Sequence, residues 1–407
     1  MKTHFLKKLG PGLLFAGAAI GVSHLVQSTR AGADYGYGLL WALLIIHFVK
    51  YPFFQFAPRY TTATGESLIE GYKRLGKWVL IIYFLLTLAT MFTIQAAVTI
   101  VTAGLASYLF GITDNVLIWS AFILLISVFF LYKGRYSLLD NAMKIIVLIL
   151  TITSIIAVLV AFIDTHKSFD IQPIIPVGTA GMAFFIAFLG WMPAPLDVSI
   201  WQSLWTSEKQ QEIGNTFSTK QSIFDFNVGF VGTIVTGILF MSLGDLMFYQ
   251  SGESLSPKAG VFARQLIAIY KSNLGNAMGI IVGIAAFTTM FSTTITALDA
   301  SPRAMAKTVN LLFDKSYKKA YLFWMLFLSV GSIIILGFFI SEMGTMIKIA
   351  TIVSFLTAPF YAIANLWLVS GKNMPEEWRP SLVLKIWSFV GIAFLVGFSF
   401  WYLRMLF

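Results

Sequence analysis

Apolar residues run along this chain in continuous blocks separated by short polar stretches. A helix rising 1.5 Å per residue needs about 20 such residues to cross a bilayer. Eleven blocks meet that length and predict helical spans near residues 10–32, 38–57, 78–108, 115–132, 138–162, 180–204, 223–244, 276–299, 321–341, 345–370 and 383–405. The third is long enough to tilt or to end in an interfacial turn. None of the blocks alternates with period two, which excludes a membrane β-barrel. The first apolar run, Leu13 to Ile20, lacks a small-x-small cleavage site followed by a soluble mature domain, and no cleavable signal is evident.

Composition narrows the class. Of 407 residues, 58% are hydrophobic and 11% charged, against roughly 25% charge in a soluble domain. Water-soluble enzymes, disordered tails and coiled coils are excluded, and an all-α integral membrane protein remains. The chain has no cysteine, so disulfides, thiolate metal sites and cysteine nucleophiles are excluded. The net charge of +10 reads as basic loops on the cytoplasmic side rather than as a nucleic-acid surface. With the N-terminus inside, the cytoplasmic side receives Lys2, Lys7, Lys8, Arg59, Lys73, Arg74, Lys77, Lys133, Arg135, Lys209, Lys220, Arg303, Lys307, Lys315, Lys318, Lys319, Lys372, Arg379 and Lys385. The outside receives Arg30, Lys167, Lys258, Arg264, Lys271 and Arg404, and Lys50, Lys144 and Lys348 fall within spans. This bias predicts a multi-pass protein of the cell membrane with its N-terminus cytoplasmic and its C-terminus outside. The expected partners are the lipid bilayer and a small inorganic ion; no nucleic acid and no resident cofactor are expected, and a monomer is.

Two spans are interrupted near their middle. The first reads Ala19-Ile20-Gly21-Val22-Ser23-His24, and the sixth reads Gly190-Trp191-Met192-Pro193-Ala194-Pro195-Leu196-Asp197. Two prolines remove two backbone donors and clash with the preceding turn. Either break alone is compatible with a kink satisfied by neighbouring helices. Placed five spans apart, the pair points to inverted repeats with a binding site at the midplane. The repeats are expected at 1–162 and 163–371, with an additional span in 372–407.

The same stretches carry a resemblance. Gly10-Pro11-Gly12 through Arg30-Ala31-Gly32-Ala33-Asp34-Tyr35-Gly36-Tyr37 resembles the first span of the NRAMP metal-transporter family. Tyr60-Thr61-Thr62-Ala63-Thr64-Gly65, Leu109-Phe110-Gly111-Ile112, Gly134-Arg135-Tyr136 and Ser292-Thr293-Thr294 are similar in order and spacing. The resemblance implies a leucine-transporter-type fold of two inverted five-helix repeats, broken in helices 1 and 6, and proton-coupled uptake of manganese or iron. In the family, an Asp and an Asn from the first break and a Met from the sixth span bind the metal. Those positions match Gly21, His24 and Ala194 here. The Pro after the Met matches Pro195, the following His matches Leu196, and a second His matches Trp201. The proton-carrying Asp and Glu of the third span match Gln95 and Val98. No carboxylate or thioether stands at a matched ligand position, so no metal ligand is assigned.

The remaining chemistry leaves alternatives. Among the acids, Asp197 alone lies close to the sixth-span break; it is either functional or a cap on the second half-helix. His24 can donate to an anion, accept a coupled proton, or simply pack. With Gly21 admitting close backbone approach, Ser23, His24 and Trp191 donating, and Ala194 and Asp197 at the other break, the expected substrate is a bicarbonate-like anion. Ser292, Thr293 and Thr294 in the eighth span are the expected sodium site, or else ordinary helix hydroxyls bonded one turn back; protons are the other coupling choice. A divalent cation (manganese, magnesium or iron) on a rebuilt site is the alternative. A receptor or accessory protein without transport is a third reading. An enzyme is not expected, because no nucleophile–base pair appears. His47 and Lys50 face the bundle or snorkel; Thr351 and Asn365 read as packing groups, and the 38 Phe residues as lipid contacts and core.

Overall fold

Helix coincides with each of the eleven expected spans in the computed structural model. The structure describes residues 10–133, 136–165, 170–213, 218–339 and 342–406. Lys2, Lys7, Lys8, Lys167, Gly134 and Arg135 lie outside the described residues, as do the side chains of Asp140, Lys144, Asp164 and Glu212. In chain order the helices are α1 (Pro11–Ala19), α2 (Thr29–Tyr35), α3 (Leu40–Thr64), α4 (Leu68–Leu75), α5 (Lys77–Phe110), α6 (Val116–Tyr132) and α7 (Tyr136–Thr165). They continue as α8 (Gly178–Trp191), α9 (Val198–Ile213), α10 (Thr219–Phe248), α11 (Ala259–Phe313), α12 (Ala320–Phe339), α13 (Met343–Ser370) and α14 (Leu382–Leu406). Seven helical stretches among the described residues are long and apolar enough to cross a membrane; Val116–Tyr132 and Gly178–Trp191 are shorter apolar helices.

Two helices stand where the hydropathy pattern left loops. Helix α4 is short and amphipathic, opened by a capping box in which the Ser67 N–H donates to Glu70 at 2.7 Å. Helix α11 begins well before its expected span and turns at Gly275, whose φ of 82° breaks the helical run. Residues 259–274 thus form a helix containing Arg264 and Lys271.

The centre is assembled by backbone contact. A side chain at Gly12 or Gly32 would strike the backbone of α10, and one at Gly229 or Gly244 would strike the α1–α2 segment in return. Small residues at crossings let helices approach where lipid supplies no hydrophobic drive. Asp225 of α10 then caps α1, accepting the N–H groups of Gly10 at 3.0 Å and Gly12 at 2.7 Å. Around this crossing Phe15 packs on Phe54 and Phe226, with ring centroids 5.0 and 5.5 Å apart. Phe48, Phe122, Phe129, Phe338 and Phe400 are exposed on the outside of the bundle, the division between core and lipid contact expected for so many phenylalanines.

Candidate ion site at the helix breaks

The first span stops at Ala19, and Ile20 leaves helical geometry with ψ at 76°. The chain resumes as a π-helical turn over Ser23–Ser28 that runs into α2. Gly21 sits in the gap, where an added Cβ would lie 3.0 Å from Thr293 Cγ2 and 3.1 Å from its Oγ1. Only a residue without a side chain lets the break approach α11 this closely.

The sixth span stops at Trp191, and Met192 is extended. Pro193 has no N–H to offer the Leu189 carbonyl, so the last turn of α8 ends in unpaired acceptors. Lys50 of α3 supplies the missing donors. Its Nζ donates to the carbonyls of Leu189 at 2.8 Å, Gly190 at 2.6 Å and Ala194 at 3.2 Å. The side chain is fully buried, and three ammonium protons meet three acceptors. The negative end of the α8 dipole adds to the attraction.

The sequence allowed Lys50 to face the bundle or to snorkel; it faces the bundle, and its three carbonyl partners are what the sequence reading missed. Two signals were available: an ionisable residue inside a span is a site candidate by default, and a proline-ended helix needs donors from elsewhere.

Asp197 lies on the opposite side of the same break. It directly precedes α9, whose first N–H, that of Val198, goes to the Pro195 carbonyl at 3.1 Å. It acts on Lys50 through space, since the ammonium's hydrogen bonds all go to carbonyls. Its Oδ1 is buried with no hydrogen-bond partner.

Between the breaks lies a cavity of about 30 Å³, lined by Ser23, Trp191, Ala194 and Thr293 together with apolar neighbours such as Val98 and Trp201. That volume suits a water molecule or an ion of a few atoms. The structure therefore brings four of the expected site residues together and leaves Gly21, His24 and Asp197 out of the lining. The His24 ring points at α10, with Nε2 3.0 Å from the Thr233 carbonyl and Nδ1 2.7 Å from Ser23 Oγ. Nε2 donates to Thr233, and Nδ1 also lies 3.0 Å from the Ala19 carbonyl. Ser23 Oγ also lies 2.6 Å from the Ala19 carbonyl and 3.3 Å from that of Pro193, and so bridges the two breaks. Trp191 spends its indole N–H on Ser354 at 2.8 Å, away from the cavity.

The three hydroxyls of α11 separate likewise. Thr293 faces the first span, its Oγ1 3.4 Å from the Gly17 carbonyl. Thr294 turns to α5 and meets Thr102 Oγ1 at 2.8 Å. Ser292 Oγ is buried without a partner. His47 is buried against Phe230. Asn365 joins Tyr72, Phe53 and Ser199 in a packing network, and Thr351 bonds back to its own helix. Among the described residues, no group of three or more His, Asp or Glu side chains is arranged to hold a metal ion.

Comparisons with known proteins place this geometry. A protein of Pasteurella multocida (strain Pm70) described as uncharacterised is 34% identical over 397 residues, 96% of this chain and 90% of that one. The divalent metal cation transporter MntH of Staphylococcus saprophyticus is 24% identical over 317 residues, 74% of this chain and 70% of its own. The crystal structure of the manganese transporter of Eremococcus coleocola superposes with a TM-score of 0.74, covering 96% of this chain and 84% of that one at 13% identity, which speaks for the fold alone. The family profile described as natural resistance-associated macrophage protein-like matches residues 12–404. The chain belongs to that family: it is a multi-pass membrane transporter of leucine-transporter-type fold, with helices 1 and 6 broken around its centre.

Proposed function

We propose that this transporter moves a small inorganic anion of the bicarbonate type by alternating access, with Lys50 as the fixed positive charge at the midplane. The Lys50 ammonium at the broken end of α8 carries the reading. A cation held on the carbonyls that a second cation would need disfavours a divalent ion and favours an anion, strongly so at low dielectric. The cavity lining offers no carboxylate or thioether to offset that charge, whereas transition metals select for such ligands. Ser23 is the hydroxyl that the first break offers to the anion, with Val198 and Trp201 of α9 in the same lining. Sodium coupling, if sodium rather than a proton is the driving ion, is assigned to Thr293 with Ser292; Thr294 drops out. The orientation proposed is N-terminus cytoplasmic and C-terminus outside, in the cell membrane, as a monomer, with repeats at 1–162 and 163–371.

A second reading, a divalent metal cation, draws on family membership and on the MntH relative. Its one structural support is Asp197, a carboxylate at the break with an unpartnered oxygen. Proteoliposomes separate the two. The anion reading expects bicarbonate-driven internal alkalinisation, lost in Lys50→Met and indifferent to manganese. Saturable manganese or magnesium influx abolished by Asp197→Ala, without any bicarbonate response, would overturn it.

A further inference from the structure

We infer a second anion site, separate from the midplane cavity, in a recess of about 240 Å³ lined by Arg30 and Lys348, and assign it a small planar oxyanion. The recess opens between α2, α8 and α13, on the side proposed above to be outside. Arg30 is held by one edge of its guanidinium: Nη2 donates to the Ser256 carbonyl at 2.6 Å, and the ring of Phe262 lies 5.9 Å away. Its Nε is buried and donates to no protein acceptor, and its Nη1 lies against Gly344 in the first turn of α13. Lys348, one turn further along α13, is exposed and has no carboxylate or carbonyl partner among the described residues. Gln27, one turn before Arg30, adds an amide to the wall.

Two helix N-termini open onto the same space. Ala180 comes from the first turn of the 14-residue α8, and Gly344 and Thr345 from the first turn of the 28-residue α13. Their positive dipole ends add to the two side-chain charges. Two acids stand nearby without lining the recess: Asp34, which acts on Arg30 through space, and Glu342, which accepts the Thr345 hydroxyl at 3.2 Å. A planar guanidinium with donors to spare matches two oxygens of a planar oxyanion side by side, and Lys348 supplies a second charge without geometric demand. The volume leaves room for several waters, so the anion binds partly hydrated. The site stands on its own residues, whichever ion the midplane carries.

The test is a titration of the full-length protein, purified in detergent, with bicarbonate and then nitrate at constant ionic strength against gluconate, read by thermal unfolding. A saturable stabilisation is expected. Its apparent affinity should weaken at least tenfold in Lys348→Gln and in Arg30→Gln, and stay within twofold of the parent in Ala194→Val, which fills the midplane cavity. Lys348 is exposed, so its variant reports even where the Arg30 variant does not fold. The absence of any saturable shift in the parent, or a shift unchanged in Lys348→Gln, overturns the site. Loss of the shift in Ala194→Val alone also overturns it, because the anion then sits at the midplane, in support of the transport reading.

Discussion

The Lys50 ammonium and the Gly190 carbonyl stand 2.6 Å apart, deep inside the protein, at the point where α8 stops. Each answers a deficit in the other. The carbonyl has lost its helical donor, and the ammonium has lost its water. Lys50→Met keeps the volume and removes the charge. It leaves three carbonyls without their donor, each at roughly 1–3 kcal/mol before relaxation or hydration. We expect a clear loss of thermal stability in detergent and at least a tenfold loss of bicarbonate flux in proteoliposomes. A fully active Lys50→Met variant would remove the lysine from the mechanism.

Gly21 and Thr293 make a close approach between the first break and α11. A Cβ at 3.0 Å from Thr293 Cγ2 forces a shift of a few tenths of an ångström, and a β-branched side chain forces more. Gly21→Val should destabilise by about 1–3 kcal/mol and slow transport more than Gly21→Ala does. Pairing Gly21→Ala with Thr293→Ser, which deletes the crowding methyl, should restore part of the loss. Unfolding midpoints and initial uptake rates of the four proteins measure both effects.

Glu66 lies in the turn after α3, where Arg74 holds its carboxyl below the usual range through a direct ion pair. A depressed carboxylate contributes stability above its unfolded pKa, about 4.3, and loses it as pH falls through the lower folded value. The pair is mostly solvated, so the effect is small. Arg74→Gln should flatten the acid-side slope of melting temperature against pH by lowering the neutral end slightly, and leave the acid end nearly unchanged. An unaltered slope between pH 5 and pH 3 would assign the acid sensitivity to other carboxylates.

Much of the fold was legible because lipid imposes simple rules. Continuous apolar runs located the spans, and Gly21, Pro193 and Pro195 located both breaks. The helix at 259–274 was not legible, since its Lys and Arg residues interrupt the hydropathy that marks a span. Side-chain direction was not legible either. His24 aligned with a ligand position yet turns to Thr233, because a π-helical turn after Gly21 rotates it off the cavity face. Lys50 was visible as a charge in a span, but its partners are carbonyls contributed by another helix, 139 residues and more away. No local pattern encodes such a pairing.

Arg303 ties the ends of two helices that meet at the midplane site. Its guanidinium donates to Asp299 on its own helix at 2.8 and 3.2 Å, and reaches Glu208 of α9 at 2.5 Å. Asp299 is nearly buried and also accepts from Tyr321 at 2.7 Å, whereas Glu208 is half exposed. The two arms therefore differ in weight. Arg303→Gln strands a buried carboxylate, a loss between the solvated and the fully buried limits, about 2 kcal/mol. Glu208→Gln removes only the solvated arm, below about 1 kcal/mol, but that arm is the one joining α9 to α11. Helix α9 follows one break and α11 carries Thr293, so under the alternating access proposed above the arm is expected to part. Weakening it by somewhat under 1 kcal/mol shifts an open–closed equilibrium up to about fivefold. The chain has no native cysteine, so Ala297→Cys, in the cavity wall, gives a clean probe. In the Glu208→Gln background its modification by a small thiol reagent should quicken up to about fivefold while the melting temperature barely moves. An unchanged rate would mean that this ion pair only braces the fold and takes no part in gating the cavity.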